Sequence, residues 1–343
     1  MSHDRLHYRP VPATPRAALA LVSPPDAMTR LPAHSAKVPT GKALGIVRLV
    51  LDDNVTVDAY GSIYSVDHTI HEPDFRFKLT VDHYNRRLKV TEIDGNPNLV
   101  CAKLERLAVA NAFDKITLKV EREQLGPFLA HGYKLEGLIP KFFLGQDAYL
   151  VSRFLSSERF SFQRFTEESE LLRQVASRPQ RKTANTLPNG YTLSIATQSD
   201  ISELIALYEN TFKTYPTPLS SPDYILATMK SHVRYAVLRN EKGQVVSAAS
   251  AEIDFKNKNA EMTDCATLPS ERGKGLMVLL LSHLESVVQS LEISCAFSMA
   301  RALEPGMNRV FLNLGYEHHG RLINNCDISG DFEDINLWVK SLS

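Results

Sequence analysis

One short pattern occurs twice in this chain, and it limits the possible folds more than any other feature. Phe128-Leu129-Ala130-His131-Gly132-Tyr133, with Gly137 and Ile139 behind it, matches Phe311-Leu312-Asn313-Leu314-Gly315-Tyr316, with Gly320 and Ile323 behind it. A glycine closing a helix is common by itself, because many helices end through a left-handed residue. Here the flanks match as well. Periodicity and turn residues place each copy in the order helix, strand, short helix, glycine, two strands. We therefore expect a duplicated α/β unit, and 343 residues suffice for two such units with separate cores.

Residues 1–42 are rich in Pro and Ala and offer little apolar area, so they read as a flexible tail. Residues 43–165 carry strand-like runs at Val55–Val66, Phe75–His83, Leu88–Ile93, Ile116–Val120, Tyr133–Ile139 and Ala148–Phe154, with helices at Leu99–Ala112 and Gln124–Ala130. Residues 166–189 read as a helix, Thr166–Arg178, and a polar linker. Residues 190–343 alternate strands and helices again. Among them, Ala260–Thr267 is a strand, and Lys274–Leu291 is a helix with Met277, Leu280, Leu281, Leu284, Val287, Val288 and Leu291 at helical spacing.

Composition excludes several classes. Lysine plus arginine and aspartate plus glutamate both number 39, so the formal net charge is zero. Nucleic-acid binders gain affinity by neutralising phosphates and usually carry a basic excess, so no nucleic-acid partner is expected. Cys101, Cys265, Cys295 and Cys326 form no CxxC pair, which argues against a zinc ribbon or disulfide scaffold; no metal is expected. No apolar run reaches bilayer length, and Pro10, Pro12 and Pro15 interrupt the N-terminus before Ala17–Val22. The expectation is a cytoplasmic protein without a membrane partner.

The strongest chemical signal is Arg272-Gly273-Lys274-Gly275-Leu276, between a strand and a helix. Two glycines let the backbone turn tightly and approach a ligand without a Cβ in the way. The first N–H groups of a helix lack partners inside it, and the helix dipole favours negative charge there. A pyrophosphate suits such a place, with Arg272 and Lys274 adding positive charge. The chain has neither a GxxxxGK[ST] motif nor a GxGxxG after a first strand.

Ala260-Glu261-Met262, Cys265-Ala266-Thr267-Leu268-Pro269 and Arg272-Gly273-Lys274-Gly275 together resemble the central motif of the GNAT superfamily of N-acetyltransferases, and Asn308–Tyr316 resembles its second cofactor helix. The resemblance implies an α/β (α+β) chain: a C-terminal GNAT fold, its central mixed sheet flanked by helices, plus an N-terminal degenerate GNAT-like half-domain. It implies acetyl-CoA as co-substrate. The strand Cys265, Ala266, Thr267, Leu268 would pair with the pantetheine arm. Amides of Gly273, Lys274, Gly275, Leu276 and Met277 would hold the pyrophosphate beside Arg272, and Asn308 and Phe311 would line the arm. Two positions depart from the pattern. Met277 replaces the usual Gly or Ala, and Phe311 stands where a thiolate-protonating Tyr is common.

Met262–Pro269, Arg272–Met277, Gly306-Met307-Asn308 and Gly320–Cys326 are further similar to beta-lysine N-acetyltransferases within that superfamily. This implies a small-molecule amine, beta-lysine, as acceptor and N-epsilon-acetyl-beta-lysine as product. Other small amines, polyamines or a protein lysine remain open, as does a non-catalytic acyl-CoA-binding regulator.

An ammonium must lose its proton before it attacks a thioester. Glu261 is the first choice for base. Asp264 is second, because strand parity puts it on the opposite face unless a bulge intervenes. The ordinary reading of both is a water-facing edge carboxylate. Arg321 suits the acceptor's carboxylate, with Glu252, Asn324 and Asn325 as further polar candidates. In the N-terminal half the matching helix opens with Gly95-Asn96-Pro97-Asn98, without paired glycines or basic residues. That half is expected to bind no cofactor and to serve as packing partner, substrate-site wall or homodimer surface.

Overall fold

Two turns of the same chemistry show how the sequence builds two halves alike. Asp82 accepts from the backbone and side-chain amides of Asn85, and Asp254 does the same for Asn257. Each turn closes on a left-handed residue, Arg86 (φ 48°) and Lys258 (φ 58°), and feeds a strand. The computed structural model describes residues 46–60, 64–177, 186–328 and 330–342. The 1–42 tail and residues 178–185 of the expected linker lie outside them.

The first half contains β1 (Val47–Asp52), β2 (Val55–Ala59), β3 (Ser65–Glu72), β4 (Phe75–Asp82), β5 (Arg87–Gly95), α1 (Pro97–Ala110), β6 (Lys115–Val120), α2 (Arg122–Ala130), β7 (Lys134–Phe143) and β8 (Gln146–Phe154). Helix α3 (Phe165–Ser177) follows. The second half contains β9 (Thr192–Ile195), α4 (Ile201–Thr211), α5 (Pro222–Lys230), β10 (Val233–Arg239), β11 (Val245–Asp254), β12 (Asn259–Thr267), α6 (Leu276–Ser290), β13 (Cys295–Arg301), α7 (Pro305–Asn313), β14 (Glu317–Ile328) and β15 (Asp331–Ser341). The run expected as one strand, Val55–Val66, is instead two, β2 and β3, and β1 precedes them; β1 and β2 form a separate hairpin.

The other strands form one mixed sheet. Outward from its middle the order is β7-β8-β6-β5-β4-β3 on one side and β14-β15-β13-β12-β11-β10-β9 on the other. Only β5–β6 and β12–β13 are parallel, and each pair is joined by a crossover helix, α1 or α6. Helix α6 buries Leu276, Leu280, Leu281, Leu284 and Val288 against the sheet, about 1.5–3 kcal/mol for each side chain. No helix among the described residues is long and apolar enough to cross a membrane.

The halves meet at β7 and β14, where Gly137 faces Gly320 in an antiparallel pair. These are the same position of the repeated pattern, so a local two-fold axis passes between them. The approach is too close for side chains: a Cβ on Gly320 would lie 2.2 Å from the Glu136 carbonyl oxygen and 2.5 Å from Gly137 Cα. The end of each of these strands then caps the other half's Asp–Asn turn. Leu144 N–H donates to the Asn257 carbonyl (3.2 Å), and Asp327 N–H to Asn85 Oδ1 (2.8 Å). A shared core of Ile139, Phe142 and Leu150 with Phe297, Leu322 and Leu337 fills the space between. The halves are thus one continuous body rather than two beads on a linker.

Candidate active site

Strands β12 and β13 pair only from Asn259↔Cys295 to Glu261↔Phe297, although both run on. The last tie is Ser298 Oγ donating to the Met262 carbonyl at 2.6 Å. Beyond it the β13-facing edge of β12 is open, while its other edge stays bonded to β11 as far as Ser247↔Thr267. Cys265, Ala266 and Thr267 lie on this stretch, with Leu268 directly after it. Thr267 bonds Ser247 through its hydroxyl, and burial pushes the Cys265 thiol up.

Helix α6 begins at the end of this opening. Gly275 is its N-cap in the left-handed conformation (φ 78°), Gly273 is left-handed too (φ 81°), and a Cβ on either would meet nothing within 4 Å. No side chain caps the helix. The first amides of the helix therefore have no side-chain partner, and the two glycines leave open space beside the turn, while Leu276 and Met277 turn their side chains into the core. Arg272 Nε donates to the Thr267 carbonyl, and Lys274 is held by Glu271 (2.8 Å) and the Tyr191 hydroxyl (3.0 Å). The matching helix α1 differs: Asn96 caps it through Asn98 N–H, and Pro97 removes a donor.

Across the sheet face, three carboxylates converge. A bulge in β12 sets Asp264 at φ 52° and reverses the parity, so Asp264 shares a face with Glu261. Glu252 of β11 is paired directly with Glu261. Burial and the Glu252 charge push Glu261 up to about 7, and burial lifts Asp264 to about 6 even though Ser250 Oγ donates to it at 2.6 Å. The first half supplies counter-charge. Lys119 Nζ lies 5.0 Å from the ring centroid of Phe297, the strand partner of Glu261, and burial lowers its pKa. Lys89 also faces the group, and it occupies the repeat position that Glu261 holds in the second half, three residues after the left-handed turn residue. The buried phenols of Tyr208 and Tyr235, with Tyr215, lie around Asp264.

The remaining candidates lie elsewhere. Asn308 is fully buried, and its amide accepts from Asn336 and Trp338 and donates to the Arg301 and Glu304 carbonyls, so none of it faces an open groove. Phe311 is core, edge-on to Tyr316. Arg321, Asn324 and Asn325 are on β14, three strands from Glu261 and Asp264 and four from Glu252. Arg321 is already bonded to Glu168 and Asn336. Asn324 donates to the Arg159 carbonyl, and Asn325 Oδ1 is buried without a partner. Asp52, Asp53 and Glu72 converge on the Lys103 ammonium.

Strand order, opened parallel pair and uncapped helix start define an acetyltransferase fold. The Acetyltransferase (GNAT) family model matches residues 201–316, and the chain belongs to this family. It is 37% identical to a beta-lysine N(6)-acetyltransferase of Methanosarcina mazei over 71% of this chain and 97% of that protein. It is 36% identical to N-acetyltransferase YodP of Bacillus subtilis (76% and 94%), and 30% to a beta-lysine N(6)-acetyltransferase of Methanococcus maripaludis (76% and 95%).

Proposed function

We propose that the chain transfers acetyl from acetyl-CoA to the distal amine of beta-lysine. The observation that carries this reading is the bulge at Asp264, which gathers Glu252, Glu261 and Asp264 where β12 and β13 part. Bound acetyl-CoA supplies the acetyl group as a thioester. The amides from Gly273 to Met277 suit its diphosphate, and the open β12 edge suits its arm. Glu261, poised near 7, takes a proton from the incoming ammonium, directly or through water. Three acidic groups on one face draw a cationic amine, and Lys119 faces Glu261 and Glu252 from the first half. Free amides of the β12 edge stand ready for the oxyanion. Two relatives named for beta-lysine, matched over nearly their whole length, support the acceptor.

The test is free-thiol release from acetyl-CoA with a panel of amines, products identified by mass spectrometry. Beta-lysine as the preferred acceptor, acetylated at its distal nitrogen, is the expected result. Preference for a polyamine or other amine overturns the acceptor, and CoA binding without turnover overturns the transfer.

A further inference from the structure

The cations that act on Glu261 are Lys119 and Lys89, and both belong to the first half. Asp264 meets the Ser250 hydroxyl, the Tyr215 phenol and the Glu252 charge, but no cation. Other basic groups nearby are engaged. His232 lies 3.8 Å from Glu252, Lys256 is held by Glu92 at 3.3 Å, and Lys141 donates to Ser341 Oγ at 3.0 Å. Arg321, expected to take the acceptor's carboxylate, is bonded to Glu168 and Asn336 instead.

Lys119 is different. Its side chain is half-buried, with the ammonium 4.8 Å from the ring centroid of Phe142 and 5.0 Å from that of Phe297. Among the described residues it makes no hydrogen bond and no ion pair. The two rings answer its charge in part and leave its three N–H donors unused. The acids it faces, Glu261, Glu252 and Asp254, stand beyond ion-pair distance, and Asp254 is occupied by the amides of its own turn. Lys89 adds a second, exposed positive charge to the same face. Glu261, poised near 7, gains a proton from the amine and so leaves Lys119 to a ligand.

Position along the sheet says what kind of ligand. Phe297 pairs with Glu261, one residue before Ser298 makes the last tie between β12 and β13. Lys119 therefore stands on the closed side of that tie, while Asp264 marks the open side, two to three residues or roughly 7–10 Å further along the strand. A carboxylate bonded close to the reacting nitrogen cannot span this interval. A carboxylate several bonds away can.

We propose that Lys119, with Lys89 at the rim, binds the carboxylate of the acceptor, so that the first half selects amino acids whose reacting amine is remote from that carboxylate. The proposal rests on the transfer reading above and completes it, because that reading leaves the acceptor's carboxylate without a partner. Lys119 holds the substrate and takes no part in making or breaking a bond.

The test uses the full chain with beta-lysine and its carboxamide, which keeps both amines and removes the negative charge. Binding is read by calorimetry without acetyl-CoA, and kcat and KM by free-thiol release. The wild type should bind beta-lysine at least tenfold tighter than the carboxamide. Lys119→Gln should cut that preference to less than threefold, in Kd and in KM rather than in kcat, and Lys89→Gln should reduce it by less. Melting temperatures check the variants, and Lys119→Met takes over if Lys119→Gln does not fold. Equal binding of the two compounds by the wild type overturns the proposal. A preference that survives in Lys119→Gln also overturns it; a pH–rate profile shifted alike for both substrates would then show Lys119 acting only through Glu261. Failure to turn over any amine, with the preference in binding and its loss in Lys119→Gln both observed, removes the transfer reading and leaves the carboxylate site standing.

Discussion

Glu261 illustrates how much one carboxylate can be asked to do. Its usual pKa of 4.5 is raised to about 7 in the fold, so the native chain holds that proton more tightly than the unfolded chain does. Stability from this group therefore falls as pH rises from about 4.5 and levels off above about 7. Glu261→Gln should raise the melting temperature at neutral pH, by a free energy on the order of 1–3 kcal/mol. With Glu261 as the base we propose, the same variant should lower kcat/KM by roughly 10²–10⁴ and flatten the rate against pH near 7. Thermal melts and a pH–rate profile check both. The residue pattern made Glu261 legible, because it sits in the motif strand. The bulge that turns Asp264 to the same face is not legible, since one extra residue in a strand leaves no periodic trace. Lys119 was not legible at all. It reads as an ordinary alternating strand lysine until the sheet folds it over Phe297.

At the scale of elements, the start of α6 is the clearest signal in the chain, because its glycines make a basic turn that no side chain caps. Both glycines do prove to be left-handed. Gly275→Val should cost about 1–2 kcal/mol of stability for the strained backbone. It should cost more in ligand: affinity for CoA should drop at least tenfold, read by calorimetry, because the new side chain enters space that is now empty. An unchanged dissociation constant would place the diphosphate elsewhere. The helices were read nearly to their ends from apolar spacing and caps. The break of Val55–Val66 into β2 and β3 is not legible, because a run of alternating residues does not reveal where a strand changes partner. Asn308 and Arg321 sit in motif-like positions, but side chains of β15 hold both, Asn336 and Trp338 donating to Asn308 and Asn336 accepting from Arg321, and that strand comes later in the chain than either.

For the whole molecule, the repeat predicted two similar halves but not how they join. Gly137 and Gly320 were visible as matched glycines; that they face one another is a property of the assembled sheet. Gly320→Ala should destabilise the chain by roughly 2–4 kcal/mol, because its Cβ would overlap backbone that cannot move aside, and urea denaturation would show it. A loss under about 0.5 kcal/mol would mean the joint can open to admit a methyl group.

The crossed capping at that joint, Leu144 over one turn and Asp327 over the other, is the arrangement expected of two subunits exchanging arms. Carried on a single polypeptide, it no longer depends on how much protein is present. Dilution that would pull apart two separate chains leaves the lysines of one half beside the acids of the other. Each half is also free to diverge on its own, one keeping its glycine turn while the other closes its helix with Asn96 and Pro97.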